Sequence, residues 1–185
     1  GKLISNRADL QTQLAVELCS DSNDWIWDGV EFRFLHSAVD YSSENNNSCV
    51  LQVRSSAGSV LLPGDIEREA EAQLVIRYAG ELASEVLVAP HHGSQSSSSY
   101  AFLKQVKPDY VVFSAGYRNS FSHPHDQVVT RYGEFASKAL LTAETGMISF
   151  KFAKGLYDEF IEERAGADKT IHPNEFRRQN IRYWY

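Results

Sequence analysis

Val86-Leu87-Val88-Ala89-Pro90-His91-His92-Gly93-Ser94 is the stretch on which the reading of this chain turns. Four apolar residues stopped at once by proline make a short buried strand rather than a helix. The residues after it are polar and rich in histidine, and α/β sheets place their sites beyond the carboxyl ends of such strands. On its N-terminal side, 67–78 has helical spacing, with Ala70, Leu74 and either Ile76 or Tyr78 inward and acidic residues in the first turn. On its C-terminal side, Ser98 or Ser99 caps a helix running through Val106, Pro108 breaks it, and 110–115 is a further strand. His123-Pro124-His125 then opens a helix reaching about Phe135, and 139–141 and 147–152 are the last two strands, with Gly146 turning between them.

The earlier part of the chain reads differently. Asp28-Gly29, between 25–27 and 30–35, is the strongest hairpin signal present. Strand candidates at 49–53 and 59–62 flank Ser55-Ser56-Ala57-Gly58, a polar loop covers 41–47, and 20–24 is a loop after a weakly patterned start. Strands first, then strand and helix in alternation, give an α/β fold: a mixed sheet covered by helices. Expected divisions are a lead-in over 1–24, a domain over 25–156 and a charged, aromatic tail over 157–185. The plainer reading of the tail is a surface helix and a frayed end; the other is a basic and aromatic patch, Arg177 to Tyr185, able to touch nucleic acid.

Size and charge narrow the function classes. With 185 residues, 43% apolar, the chain can bury a sizeable core. A net charge of -6 argues against a non-specific clamp on a phosphate backbone, although bound metal ions would alter the local field. Cys19 and Cys49 read first as two small core residues, and a disulfide between them would require an oxidising compartment. No apolar run reaches transmembrane length and no signal peptide is evident; the start at Gly1-Lys2-Leu3 is expected to be a processed or internal one.

Few residues carry chemistry. Asp65 follows a strand and a glycine, where a carboxylate can bridge metal ions or simply cap a helix. His91 and His92 follow a strand, and on extended backbone they point to opposite faces, so that one binds metal while the other orients it or donates to substrate. His123 and His125 share one side only if the chain bends at Pro124. Arg118, Asn119, Ser120 and Ser122 supply a cation and neutral donors suited to phosphate oxygens, and the polar loop 45–48, with Asn47 and Ser48, can shape an anion site. His36 reads as an edge histidine, and His172 in the tail carries little weight. Ser94 lacks the Gly-x-Ser-x-Gly setting of a nucleophile, and no His-x-His-x-Asp-His cluster is present.

Five ordered motifs add a resemblance. Asn46-Asn47-Ser48-Cys49-Val50-Leu51, Leu62-Pro63-Gly64-Asp65-Ile66-Glu67, Leu87 through Ser94, Ser114-Ala115-Gly116-Tyr117-Arg118-Asn119 and His123-Pro124-His125 resemble the metallo-β-lactamase-like domain of the ComEC/Rec2 family of competence proteins. The resemblance covers about residues 25 to 152 and implies a metallo-β-lactamase-like mixed sheet that lacks the N-terminal part of its αββα sandwich. It implies a multi-pass protein of the bacterial inner membrane that imports one DNA strand in natural transformation, with this domain degrading the other; either side of the membrane stays open for the domain, the periplasmic one being favoured. Asp65 and His91 then resemble metal ligands for zinc or manganese, and His92, His123 and His125 catalytic histidines. Asn47, Ser48, Ser94, Arg118 and Asn119 would contact substrate. The implied partners are DNA, the upstream part of the same domain, the membrane channel and the competence machinery, with self-association of the isolated piece. Alternatives are hydrolysis of another ester or lactone, and a non-catalytic module that guides DNA or supports assembly.

Overall fold

The computed structural model of the chain describes residues 1–7, 9–35 and 39–152 and the backbone of Ile171–Phe176. His36 and the terminal basic and aromatic patch lie outside the described residues. The weakly patterned start holds two short parallel strands, β1 (Lys2–Ser5) and β2 (Ala15–Leu18), which the sequence did not reveal. Next come β3 (Trp25–Trp27) and β4 (Val30–Leu35), the expected hairpin. Asp28 and Gly29 close it at φ 50° and 75°, the two left-handed positions that a type I′ turn needs.

The antiparallel run continues through β5 (Val50–Ser55) and β6 (Gly58–Leu62), and there the direction changes. Strands β7 (Val86–Val88), β8 (Tyr110–Phe113) and β9 (Lys138–Leu141) are added in parallel, each beyond the last, giving a seven-stranded mixed sheet in sequence order from β3 to β9. Each parallel connection carries a helix: α1 (Arg68–Tyr78), α2 (Tyr100–Val106) and α3 (Asp126–Glu134). Right-handed crossovers with strands added in one direction put all three helices on one face. That face is the core, where Leu61, Leu87, Val111 and Phe113 meet Ala70, Leu74, Phe102, Leu103, Val128 and Tyr132. The open choice in α1 resolves to Tyr78, which is buried, whereas Ile76 is 75% exposed. Ser99 caps α2, its hydroxyl accepting from the Phe102 N–H.

Three expectations are corrected. The strands expected at 139–141 and 147–152 are present but are not joined by a simple turn at Gly146: a one-turn helix, α4 (Thr142–Thr145), intervenes, and β10 (Met147–Phe152) pairs with β11 (Ile171–Phe176) in a separate antiparallel sheet. The Thr142 hydroxyl, within 3.2 Å of both the Phe113 and Ala115 carbonyls, anchors the start of α4 at the end of β8. The tail is accordingly extended rather than helical over Ile171–Phe176. Finally, Cys19 and Cys49 are not merely core residues; they form a disulfide that ties the end of β2 to the start of β5.

The second face of the sheet is also apolar but only partly covered. Phe150 of β10 lies edge-on to Tyr110 at 5.6 Å, while Val60 and Val88 are half-buried and Leu62 is 37% exposed. No helix among the described residues is long and apolar enough to cross a membrane. The disulfide closes a separation of 30 residues, and a crosslink of that span contributes about 3–4 kcal/mol, mainly by restricting the unfolded chain. Replacing both cysteines by serine is expected to lower unfolding stability by about that amount in chemical denaturation; an unchanged midpoint would show that the link contributes nothing.

Candidate functional site

Three loops leave the carboxyl ends of β6, β7 and β8, and main-chain bonds join them. The His91 N–H donates to the Gly64 carbonyl at 3.1 Å, and the His125 N–H donates to the Gly93 carbonyl at 3.1 Å. A fourth segment braces the first loop from outside: Ser48 Oγ accepts from the Asp65 N–H at 3.1 Å, and Asn46 Oδ1 from the Glu67 N–H at 2.7 Å. Asp65, His91, His92, His123 and His125 are gathered there.

The backbone at the histidine pair corrects the expectation of extended chain. His91, His92 and Gly93 all have positive φ, at 49°, 56° and 84°, so the chain makes a left-handed turn after Pro90. Left-handed backbone costs an ordinary residue about 1–2 kcal/mol, and the bonds to the neighbouring loops hold it in place. Instead of pointing to opposite faces, the two rings stand edge to face with centroids 6.5 Å apart. The His91 ring is 5.7 Å from that of His123, and His123 is 5.3 Å from His125, so the bend required at Pro124 is present.

Each imidazole of the first pair has a carboxylate neighbour. Asp65 Oδ1 lies 3.6 Å from His92 Nε2, and Glu67 Oε1 lies 3.3 Å from His91 Nδ1. Asp65 therefore meets His92, not the His91 with which the sequence reading grouped it. Glu67 was missed as a site residue because an acid at a helix start reads as a favourable charge near the dipole. Its only signal was its place in the Gly64-Asp65 motif.

The remaining candidates are placed as follows. Ser48 supports the Asp65 backbone, and Asn47 bonds both main-chain groups of Tyr41, bracing the polar loop. Asn119 accepts from the His123 N–H and donates to the Gly116 and His123 carbonyls, so its amide shapes the loop that presents His123. Arg118 lies with its guanidinium 5.2 Å from the centre of the Tyr117 ring. Phe121, 73% exposed, stacks on His123 at 5.8 Å. Ser94 contacts the Ser96 hydroxyl at 3.1 Å. The serine run that looked like low complexity is held from both sides: the buried Glu71 carboxylate accepts from the Ser98 and Ser99 N–H groups, and Arg131 donates to the Ser97 and Ser98 carbonyls.

Whether these side chains suit a divalent ion depends on their donors. Two donors bonded to one tetrahedral ion at about 2.0–2.2 Å stand about 3.4 Å apart, close to the 3.6 Å between Asp65 and His92. Further corners are lacking: among the described residues no group of three or more His, Cys, Asp or Glu side chains is placed to hold a metal. They do not make a metal site by themselves.

Two expectations test this geometry. A Cβ at Gly93 would lie 2.7 Å from Pro124 Cβ and 2.8 Å from the Phe113 ring, at a φ that side chains resist. Gly93→Ala should therefore destabilise the chain by about 2–4 kcal/mol in urea unfolding; a cost below about 1 kcal/mol would mean the loops are not in close contact. Burial lowers the His123 pKa below its ordinary 6.5, and the neighbouring His125, His91 and His92 push it the same way against a smaller pull from Asp65. The stability this contributes is present above about pH 6.5 and is lost as pH falls through the lower folded value. An NMR titration should give His123 a midpoint below 6.5, and a higher midpoint would contradict the packing described.

No family model matches the chain. Competence protein ComA of Neisseria gonorrhoeae is 41% identical over 132 residues, which are 71% of this chain and 19% of that protein. Recombination protein 2 of Haemophilus influenzae is 37% identical over 136 residues, 72% of this chain and 17% of its own length. ComE operon protein 3 of Bacillus subtilis is 34% identical over 115 residues, 62% of this chain and 15% of its own. The chain thus spans less than a fifth of the length of the curated relatives it matches. Among solved structures, a metallo-β-lactamase-superfamily protein of Thermotoga maritima aligns at 9% identity and a TM-score of 0.41, over 75% of this chain and 79% of its own. With the relatives at 34–41% identity and most of this chain aligned to each, the chain is homologous to one segment of the ComEC/Rec2 family of competence proteins.

Proposed function

We propose that this chain is part of a DNA-uptake protein of natural transformation, and that its histidine cluster belongs to a site hydrolysing the phosphodiesters of the strand that is not imported. The observation that carries the proposal is the meeting of Asp65 with His92, and of His91 with His123 and His125, at the carboxyl ends of three parallel strands. Homology to competence proteins supplies the DNA-uptake context. The loop beside His123 suits nucleic acid: Phe121 is exposed and Arg118 lies beside the Tyr117 ring, a combination able to stack on bases and attract phosphate.

In this proposal His91 and His123 receive and return the proton of the attacking water, while Asp65 and His92 face the place of a metal ion. A divalent ion, zinc or manganese, would supply an activated water and charge stabilisation. The described residues offer it two donors, so its other ligands would come from elsewhere in the longer protein. The half-covered apolar face beginning at Leu62 gives that upstream part a place to pack. The disulfide favours the periplasmic side of an inner-membrane protein, where such links persist. The incomplete ligand set is also what a non-catalytic, DNA-guiding module would show.

The test is DNA cleavage with zinc or manganese, by this chain and by a form extended upstream, each with Asp65→Ala and His123→Ala controls. Cleavage by the extended form is expected, abolished in Asp65→Ala and reduced about 10²- to 10⁴-fold in His123→Ala. DNA binding without cleavage in the extended form would favour the guiding module. Cleavage of a lactone or simple ester but not DNA would move the assignment to another substrate.

A further inference from the structure

We infer that Glu67 is a positioning residue that holds His91 as its Nδ1–H tautomer, leaving the Nε2 lone pair as the atom of His91 that takes a proton or a ligand. Counting protons leads there. Nδ1 of His91 faces two oxygens, Glu67 Oε1 at 3.3 Å and Ser96 Oγ at 3.5 Å. An ionised carboxylate only accepts, whereas a serine hydroxyl has a single proton to give. Three acceptors compete for that proton: Glu67 Oε1 at 2.8 Å, Ser94 Oγ at 3.1 Å and His91 Nδ1 at 3.5 Å. The charged acceptor is also the nearest, so the Ser96 proton goes to Glu67. Ser96 then presents only lone pairs to His91, as Glu67 does. A bare Nδ1 would gather three acceptors around one point; a protonated Nδ1 meets two partners.

The orientation of Glu67 is independent support. It occupies the cap position of α1, where its charge faces the positive end of the helix dipole. Here its side chain makes no capping bond and turns instead to Ser96 and His91. Glu67 and the serine loop beside it are themselves fixed. The Glu67 N–H donates to Asn46, the Arg68 N–H donates to the Ser96 carbonyl at 3.0 Å, and the Arg68 guanidinium donates to the Gln95 carbonyl at 2.8 Å. The start of α1 and the serine loop are thereby locked together with His91 between them. Partners that orient an imidazole in this way commonly matter about 10- to 100-fold to the activity or affinity of the ring they hold.

The use of His91 in catalysis rests on the hydrolase reading, but the tautomer does not. It can be read by long-range ¹H–¹⁵N NMR of the chain at about pH 8.5, where imidazoles are neutral, with the His91 signals assigned by their loss in His91→Gln. The wild-type chain is expected to show a protonated Nδ1 and an unprotonated Nε2. Glu67→Ala removes the charged acceptor beside Nδ1, so the protonated Nδ1 signal should weaken and an Nε2–H signal should grow in its place. Ser96→Ala leaves the carboxylate as acceptor and should keep the wild-type form. An Nε2–H form in the wild-type chain, or no change in Glu67→Ala, would overturn the inference, as would a switch in Ser96→Ala. If Glu67→Ala does not fold, the wild-type and Ser96→Ala spectra still decide. The expected tautomers with no DNA cleavage by the extended form would uphold this inference while sinking the hydrolase reading.

Discussion

Two main-chain hydrogen bonds, His91 N–H to Gly64 and His125 N–H to Gly93, hold together the three loops from which the whole candidate site is made. Loops of this kind are ordinarily the mobile, variable part of a fold. Here their starting points are fixed by the pairing of Leu61 with Leu87 and of Val88 with Val112, so each loop leaves the sheet beside the next. The left-handed turn through His91, His92 and Gly93 follows from the same constraint. An extended chain would carry the two rings to opposite faces; the turn keeps them at one strand end, each beside its own carboxylate. That division matters chemically, because it gives two imidazoles of one dipeptide different partners and so different duties.

A second layer of polar contacts explains how so many serines come to lie beneath this turn. Residues 94–99 run through the interior edge of the helical layer, where Ser97 and Ser98 are fully buried. Buried main-chain groups without partners are costly, and this segment finds its partners singly. Glu71 takes the N–H groups of Ser98 and Ser99, Arg131 the carbonyls of Ser97 and Ser98, the Arg68 N–H the carbonyl of Ser96, and the Ser97 hydroxyl returns to the Pro90 carbonyl at 2.8 Å just before the histidines. Burial raises the Glu71 pKa, while the N–H groups of Ser98 and Ser99 and the charge of Arg131 oppose the shift.

Much of the fold could be read because its signals are local. Asp28-Gly29 specifies a turn, Ser99 a cap and Pro108 a stop, and each acts within a few residues of itself. The 67–78 helix was legible for the same reason, and the one ambiguity in it, Ile76 against Tyr78, was settled by packing rather than by propensity. What was missed depends on distant partners. The pairing of β10 with β11 is encoded in neither segment alone, and the short helix before Gly146 went unread because the Thr142 anchor to the end of β8 has no local signature. Likewise the cysteine spacing says nothing about separation in space, so the disulfide could not be distinguished from two core thiols. In the site, the histidines and Asp65 stood out by residue type. Glu67 did not, since its role comes from a rotamer turned away from its own helix.

The two unfinished features of the described structure adjoin each other. On the metal reading Asp65 and His92 would supply two corners of an ion's shell, with no third such side chain placed beside them among the described residues, and the apolar face left partly open ends at Leu62, three residues before Asp65. An apolar sheet face with a half-exposed rim calls for a cover, and under the hydrolase proposal the same cover would bring the missing donors. A purely structural role for the cluster accounts for these features less directly. A stabilising carboxylate–imidazole pair gains by burial and close contact, yet Asp65 and His92 are each nearly half exposed and stand 3.6 Å apart. Their openness and spacing suit a pair kept ready for a third group better than one satisfied with itself.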